Sequence, residues 1–281
     1  MTSPPGGCRA SVVIPAYNEG RVLGRCLRSL LSADVPLDIV VAANGCTDDT
    51  VEVARSFDGV RVVEVPQASK VAALNAGDQA AAAQSQPRIY LDADISLDDG
   101  VLVKMVEALT TDEPRVAAPR VRFATEGASW GVRRFYDAYV EVPYVTQGMV
   151  GLGIYGLSAA GRRRFGAFPA LRADDLFIQQ LFTPAERILV NGEFEVQVPR
   201  DLANLVKVRT RVAGGNAELA QSQDGEGYGG TLDSTVRALG RVAVRRPPML
   251  PAVLVYVGVI LEARRRARRR VAVWHRDDST R

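Results

Sequence analysis

Five short apolar runs alternate with amphipathic stretches over about the first 120 residues, and this alternation limits the fold more than any other feature. The runs begin near Ala10, Leu37, Val60, Arg88 and Val116. The stretches between them have apolar residues at helical spacing, and parallel strands need such crossover connections. The sequence therefore predicts an α/β fold in which a mostly parallel sheet is flanked by helices.

Two carboxylates follow the fourth apolar run, where Asp92 and Asp94 come directly after residues 88–91. Open α/β sheets bind ligands outside the carboxyl ends of their strands, and residues i and i+2 project to the same side. Two such charges repel each other, and a hard divalent cation would relieve this repulsion. Taken alone, the pair favours a surface turn, with Asp98 and Asp99 capping the next helix.

The distribution of charge and of reactive side chains excludes several classes of protein. The net charge is +3, and because six arginines lie in residues 264–270, the rest of the chain is slightly acidic. The body is therefore not expected to bind nucleic acid. The single histidine, His275, lies in the polar tail and argues against a histidine-based triad or metal site. Cys8, Cys26 and Cys46 lack metal-ligand spacing and predict reduced thiols in a cytoplasmic protein.

The C-terminal segment combines an apolar run, residues 253–261, with the arginine cluster that follows it. The run is shorter than the roughly 18 residues needed to span a bilayer, so no span is predicted. It suits peripheral contact with an anionic membrane surface, on its inner face. A C-terminal helix packed on the domain, with a solvated basic end, is an equally good interpretation. Residues 1–7 lack the features of a signal peptide.

An ordered set of motifs is more specific than any of its members. The motifs are Val12-Val13-Ile14-Pro15-Ala16-Tyr17-Asn18-Glu19, Asn44-Gly45-Cys46-Thr47-Asp48-Asp49-Thr50, Lys70-Val71-Ala72-Ala73-Leu74-Asn75-Ala76-Gly77, Leu91-Asp92-Ala93-Asp94 and Asp174-Asp175. Over about residues 10–215 the chain resembles glycosyltransferase family 2. The resemblance implies a GT-A fold, Rossmann-like, and an inverting enzyme that uses a nucleotide-diphosphate sugar.

The resemblance also suggests how the chain is divided. A GT-A catalytic domain would occupy residues 1–215, with its nucleotide-binding part at about 8–120 and its acceptor part at about 121–215. Residues 216–281 would form a helical C-terminal extension with a basic tail. The acceptor could be lipid-linked, a glycan or a small molecule, because the sequence of the acceptor part contains no motif that identifies an acceptor.

The first three motifs would form the nucleotide pocket, by the same resemblance. The turn after the first strand implicates Pro15, Ala16, Tyr17 and Glu19. Asn44 occupies a family position, usually Asp, that accepts a hydrogen bond from uracil, and therefore a UDP-sugar is favoured. The preceding position, also commonly Asp, is Ala43 here. The remaining assignments concern Lys70, expected to reach phosphate oxygens, and Asp48, expected to cap a helix.

The last two motifs would carry the chemistry. Asp94 is expected to coordinate Mg²⁺ or Mn²⁺ on the diphosphate, and Asp92 to bind ribose or assist the metal. Asp175 matches the general base of the family. Asp174 would orient it or contact the sugar, although both acids would also suit a helix N-terminus.

One departure from the family pattern concerns how many sugars are transferred. The Gln-x-x-Arg-Trp motif of processive synthases is absent from the sequence, and Arg209-x-Arg211 stands roughly in its place. Arg211 is the arginine assigned to the diphosphate, although both arginines could be solvated. We therefore expect transfer of a single sugar.

Two other functions fit parts of the sequence. A nucleotidyltransferase also needs paired acids, but its Gly-rich phosphate loop is not found after the first strand. A catalytically impaired nucleotide-sugar-binding protein with a membrane- or partner-binding tail would explain Ala43. Loss of turnover in Asp94→Ala would distinguish an enzyme from such a scaffold.

Overall fold

The structure is a computed structural model that describes residues 10–83, 85–97, 100–146, 152–170, 174–222 and 229–269. The chain forms two compact units. The first comprises residues 1–122, 150–170 and 174–195, and the second comprises residues 123–149, 171–173 and 196–281. The expected caps Asp98 and Asp99, and His275 in the tail, lie outside the described residues.

The core of the first unit is a seven-stranded sheet in the order β3-β2-β1-β4-β6-β5-β7. The strands are β1 (Ala10–Ala16), β2 (Leu37–Asn44), β3 (Val60–Val65), β4 (Arg88–Leu91), β5 (Val116–Ala124), β6 (Ile154–Leu157) and β7 (Arg187–Gln197). Strands β1 to β4 pair in parallel, whereas β6 is antiparallel to both β4 and β5. The predicted α/β architecture is confirmed.

Helices connect the strands and form most of the second unit. In chain order they are α1 (Gly20–Leu31), α2 (Thr50–Arg55), α3 (Lys70–Ala80), α4 (Val101–Leu109), α5 (Trp130–Tyr139), α6 (Pro143–Thr146), α7 (Ala159–Arg162), α8 (Asp174–Gln180), α9 (Leu202–Ser222), α10 (Gly229–Arg245) and α11 (Leu250–Arg269). Short 3₁₀ turns precede β7 and α11. In α1, Leu23, Cys26, Leu27 and Leu30 are buried, as their helical spacing predicts.

Two helix boundaries differ from those that residue type and apolar spacing predict, which are Asn18 as the N-cap of α1 and Leu97 as the beginning of α4. Asn18 is not the N-cap of α1, because it adopts a left-handed conformation with φ of 54° and the helix follows Glu19. Its Oδ1 instead accepts a hydrogen bond from the backbone N–H of Thr47, and Asn tolerates this conformation better than most residues. Helix α4 begins at Val101 and not at Leu97, which forms an isolated bridge with Phe194.

The second unit is built on an aromatic core. Helix α11 packs against α5 and α9, and the Phe135 ring stacks on Tyr256 at 5.2 Å and on Tyr139 at 5.7 Å. Helix α9 continues through Gly214 and Gly215, although glycine has a low helix propensity.

Arg209 is buried in this aromatic core, so it is not one of a solvated pair. Its guanidinium carbon lies 4.2 Å from the Tyr139 ring centre and 4.9 Å from that of Phe135. Burial alone would lower the pKa of Arg209, but the neighbouring Tyr139 and Tyr136 raise it above its ordinary value. The cation therefore stays charged and is held by ring faces.

Replacing Arg209 with alanine is expected to lower the free energy of unfolding by about 2–4 kcal/mol. The substitution removes the cation–ring contacts and leaves a cavity among the aromatic side chains. Chemical denaturation would measure the change. Arg211→Ala is the matched control, because Arg211 is exposed on the same helix. Equal losses in the two variants would contradict a structural role for Arg209.

Helix α11 changes the expectation for membrane contact. Among the described residues, the segment Pro247–Arg269 is long and apolar enough to cross a membrane by length and composition alone, with a mean hydropathy of 1.3. The helix reaches this length because it extends beyond residues 253–261 at both ends. Core helices of soluble proteins have the same length and composition, so the absence of a membrane span stays a prediction.

Candidate functional site

The carboxyl end of β4 carries the acidic residues that the sequence singled out. The backbone N–H of Asp92 donates to the Gly153 carbonyl at 2.7 Å, and the N–H of Ile95 donates to the Asp92 carbonyl at 3.1 Å. Gly153 has a φ of 112°, and a Cβ there would lie 2.9 Å from Ile95 Cγ1. This tight turn holds Asp92 at the end of β4, and the Asp92 side chain is 37% exposed. Asp94, two residues further along the chain, is exposed.

Lys70 joins this acidic turn to the second acidic pair. Its Nζ lies 2.9 Å from Asp92 Oδ1 and 3.4 Å from Asp174 Oδ1. The lysine opens α3, which Ser69 caps by accepting the backbone N–H of Ala72 at 3.3 Å. Burial would lower the pKa of Lys70, but Asp174 and Asp92 outweigh this effect and raise it. The ammonium is therefore a fixed positive charge between two carboxylates.

Asp174 and Asp175 open α8, in agreement with the prediction that this pair begins a helix. Asp174 is buried at 7% exposure, and Asp175 Oδ1 accepts the backbone N–H of Leu176 at 2.8 Å. Burial raises the pKa of Asp174, against the effect of Lys70. Burial and the charge of Asp174 raise the pKa of Asp175 to about 6. A carboxylate with this pKa can take a proton near neutral pH.

Tyr155 lies among the same carboxylates. It is buried in β6, paired with Tyr90 in β4, and the two rings are 5.1 Å apart. Burial and the charge of Asp174 raise its pKa well above the ordinary value. Its hydroxyl has no hydrogen-bond partner within the described part of the chain. Tyr155 therefore remains protonated, and its buried hydroxyl lies beside the carboxylates of the site.

A second set of contacts, which the sequence did not predict, holds the segment before α8. Asn75 Nδ2 donates to the Phe168 carbonyl at 3.1 Å, and the Phe168 N–H donates to Asn75 Oδ1 at 2.7 Å. Asp78 accepts hydrogen bonds from Arg162 at 2.6 Å and from Tyr90 at 2.8 Å. Helix α3 thus carries Lys70 and also Asn75 and Asp78, and we call the contacts of these last two residues the brace. The only signal in the sequence is that Asn75 follows Lys70 within the same motif.

The predicted nucleotide pocket begins where β1 and β2 end side by side. Asn44 Nδ2 donates to the Ala16 carbonyl at 2.8 Å, a bond that the usual Asp of the family could not donate. Asn44 is 1% exposed, and its Oδ1 has no hydrogen-bond partner among the described residues. The hydrogen bond to Ala16 therefore fixes the orientation of the Asn44 amide, and the amide oxygen accepts no hydrogen bond from the described residues.

The turn after β1 carries the other residues predicted for this pocket. Pro15 and Ala16 end the buried strand, Tyr17 is half-buried, and Glu19 precedes α1. The Glu19 N–H donates to Thr50 Oγ1 at 2.7 Å. The turn is therefore fixed by the beginning of α2.

Asp48, which lies just before α2, supports the same turn. Its carboxylate accepts the backbone N–H groups of Thr50 at 3.1 Å and Gly20 at 3.2 Å. The N-cap residue of α2 is Asp49 and not Asp48, but the Asp48 carboxylate accepts the first backbone N–H of each helix and so stabilises both helix beginnings.

Two predictions about the site do not gain geometric support. Arg211, assigned to the diphosphate, is exposed on α9, and its role stays a prediction. Over the ranges that the structure describes, no three His, Cys, Asp or Glu side chains form a cluster able to hold a metal ion. Asp92 and Asp94 could supply only part of a coordination shell. Cys26 and Cys46 are free thiols, as predicted, and Cys8 is not described.

Comparison with known proteins identifies the family. The sequence model described as Glycosyl transferase family 2 matches residues 11–163, more than half of the chain. The 4,4'-diaponeurosporenoate glycosyltransferase of Staphylococcus aureus strain USA300 is 44% identical over 55 residues, which are 20% of this chain and 14% of the relative. The matched segment is thus a small part of that curated relative.

Solved structures agree in fold. The mannosyltransferase PcManGT from Pyrobaculum calidifontis, solved with GDP-Man and Mn²⁺, superposes with a TM-score of 0.64 at 17% identity, over 95% of this chain and 89% of that one. Glucosyl-3-phosphoglycerate synthase from Mycobacterium tuberculosis, solved with UDP, gives a TM-score of 0.52 at 22% identity, over 74% and 78%. The match of the family model favours this family over the nucleotidyltransferase alternative, and the solved structures show the fold. The chain belongs to glycosyl transferase family 2 and has the GT-A fold.

Proposed function

We propose that this enzyme transfers one sugar from a nucleotide-diphosphate sugar, most favourably a UDP-sugar, to an acceptor hydroxyl, with inversion and with the help of a divalent cation. The observation that carries the proposal is the position of Lys70 Nζ, 2.9 Å from Asp92 and 3.4 Å from Asp174. This contact brings the acids after β4 and the acids of α8 to one charged site. Such a site can activate an acceptor and stabilise a leaving group.

Asp175 is the proposed general base. Its pKa of about 6 lets it remain ionised at neutral pH and still accept a proton from a hydroxyl. The hydrogen bond from the Leu176 N–H to Oδ1 fixes one oxygen and leaves the other for the acceptor. Direct attack by the deprotonated acceptor oxygen on the anomeric carbon inverts its configuration, so an α-linked donor gives a β-linked product.

Stabilisation of the departing diphosphate falls to Lys70 and to a divalent cation. The ammonium of Lys70 is half-buried and held in place, so it can meet a phosphate oxygen without reorganisation. Asp92 and Asp94 fit Mg²⁺ or Mn²⁺, because these ions are commonly held by one or two carboxylates together with substrate phosphates. When bound, the ion would neutralise negative charge on the leaving group.

Asn44 is proposed to read the base of the donor nucleotide. Its amide donates to Ala16, and its oxygen is left as a buried acceptor with no partner among the described residues. An unpaired buried acceptor costs about 1–3 kcal/mol, which an N–H of the base would recover. Uracil offers such an N–H at N3, but thymine and guanine also carry a ring N–H, so the choice of UDP among them rests on the family resemblance of Asn44. Tyr17 and Glu19, on the adjoining turn, would contact the base or ribose.

Thermal unfolding with UDP, GDP, CDP and dTDP, each with and without Mn²⁺, tests the donor site. A ligand that binds only the folded protein raises its melting temperature, and we expect one diphosphate to do so most strongly. Mn²⁺ should enlarge the shift in the wild type but not in Asp94→Ala. Asp112→Ala, an exposed carboxylate of the same unit, is the control and should keep the full effect.

Two results would contradict parts of this proposal. An equal shift with and without Mn²⁺ for the preferred diphosphate would remove the role of the cation. No shift with any of the four diphosphates would remove the proposed donor class, while the family assignment would stand.

A further inference from the structure

Helix α11 has two apolar faces, and only one of them is buried against the described part of the second unit. Ala252, Val253, Tyr256, Val259 and Ala263 are buried, and the helix packs through them against α5 and α9. Deleting the helix would uncover the aromatic core. The helix is therefore a structural part of the unit, and this argues against a helix that leaves the protein to cross a bilayer.

The other face carries four large apolar side chains in contact with solvent. Leu250, Leu254, Val257 and Leu261 are 48%, 63%, 41% and 61% exposed. Their spacing of four, three and four residues places them within about 60° of arc on the helix surface, because successive residues are about 100° apart. We call these four residues the apolar stripe. Single exposed apolar residues are common, but an aligned row marks an interaction surface.

Basic residues continue the apolar stripe toward the end of the helix. Arg265 and Arg268 follow at the same angular position, with Arg264 beside them, and Arg265 and Arg268 are exposed. Glu262 pairs with Arg265 at 2.7 Å and with Arg266 at 2.6 Å. Five arginines against one glutamate leave residues 262–269 with a net charge of +4. This surface thus offers apolar contact at one end and positive charge at the other.

We propose that the apolar stripe and the arginines that continue it dock the second unit on the surface of an anionic lipid membrane, with α11 lying in the plane of the interface. Leucine and valine side chains would enter the boundary between head groups and acyl chains, and the arginines would contact lipid phosphates. A second copy of this chain fits less well, because an antiparallel pairing of two stripes would place arginines against leucines. The docking is independent of the transfer chemistry.

Flotation of the full chain with lipid vesicles tests the proposal. The wild type should float with vesicles of phosphatidylcholine containing 30% phosphatidylglycerol and much less with phosphatidylcholine alone, and NaCl should weaken the binding. Leu254→Glu/Leu261→Glu should weaken binding more than about 10-fold, since it removes two apolar contacts. Arg264→Gln/Arg265→Gln/Arg268→Gln should weaken it on the order of 100-fold, at about 1 kcal/mol per basic residue near the surface.

Controls separate docking from misfolding and from self-association. Leu31→Glu changes an exposed leucine, 46% accessible, in the first unit and should float like the wild type. All variants should keep the wild-type melting temperature and, by light scattering, the wild-type oligomeric state. The proposal would be overturned if the wild type failed to float with the anionic vesicles, or if the arginine variant floated equally well. It would also be overturned if alkaline carbonate failed to release the protein from cell membranes, because a spanning helix resists that treatment.

Discussion

Replacing Asp175 with asparagine is expected to lower the rate of sugar transfer about 100- to 10,000-fold, the usual contribution of a general base. Asparagine keeps the shape of the side chain, and its Oδ1 can still accept the Leu176 N–H that holds the wild-type carboxylate. The negative charge and the ability to take a proton are lost. Release of nucleoside diphosphate from the preferred donor would measure turnover, and the thermal shift with that diphosphate should stay close to that of the wild type.

The pH dependence of kcat/KM should identify Asp175 as the general base. Burial and Asp174 raise the pKa of Asp175 from 3.8 to about 6, and the base acts only when ionised. The value of kcat/KM should therefore be constant above about pH 6 and fall tenfold per pH unit below it. A bound cation favours the ionised carboxylate of Asp175 and would move this fall in kcat/KM, the acid limb of the pH profile, to lower pH. The limb should disappear in Asp175→Asn.

Asp112→Asn is the matched control, because it neutralises an exposed carboxylate of the same unit. It should retain both the wild-type rate and the acid limb. If Asp175→Asn kept the wild-type rate, the general base would have to be another group. If the rate fell but the limb remained, the titration near pH 6 would belong to a different side chain.

The parallel part of the fold was predictable because its strands are continuous apolar runs with helices between them. Strands β1 to β4 lie in the predicted places, and the structure confirms their parallel pairing. Strand β6 could not be foreseen, because its four residues follow a glycine-rich segment and resemble a turn. Its insertion between β4 and β5 depends on long-range pairing that local sequence does not encode.

Local capping preferences were a less reliable guide. Asn18 is a good N-cap residue, yet tertiary hydrogen bonding to Thr47 holds it in a left-handed turn. A contact distant in sequence therefore decided the local conformation.

The candidate site was predictable in composition but not in arrangement. The motif resemblance selected Lys70, Asp92 and Asp174, and the structure places the lysine in contact with both acids. No spacing rule could bring together residues about a hundred positions apart. The brace formed by Asn75 and Asp78 went unpredicted because an amide and a carboxylate on a helix face give no sign of their distant partners.

Replacing Lys70 with methionine is expected to produce the other large loss, about 100- to 1,000-fold in turnover, comparable to removal of one preorganised electrostatic donor. Methionine keeps much of the length and apolar volume of the side chain, but Asp92 and Asp174 lose their shared cation. The positive charge of Lys70 lowers the pKa of Asp175, so its loss should also move the acid limb of the pH profile above about 6. The base would then be partly protonated at neutral pH.

Lys70→Arg and Lys104→Met separate charge from packing. Arginine restores the positive charge and should return the acid limb of the pH profile toward pH 6. The rate should recover only in part, because a planar guanidinium cannot replace a compact ammonium between two carboxylates. Lys104→Met removes an exposed lysine of α4 and should change neither rate nor limb. A slow Lys70→Met enzyme with an unshifted limb would mean that Lys70 acts on the leaving group alone. A full rate in Lys70→Met would mean that its contact with the two acids has no part in transfer, and the proposed site would lose its central observation.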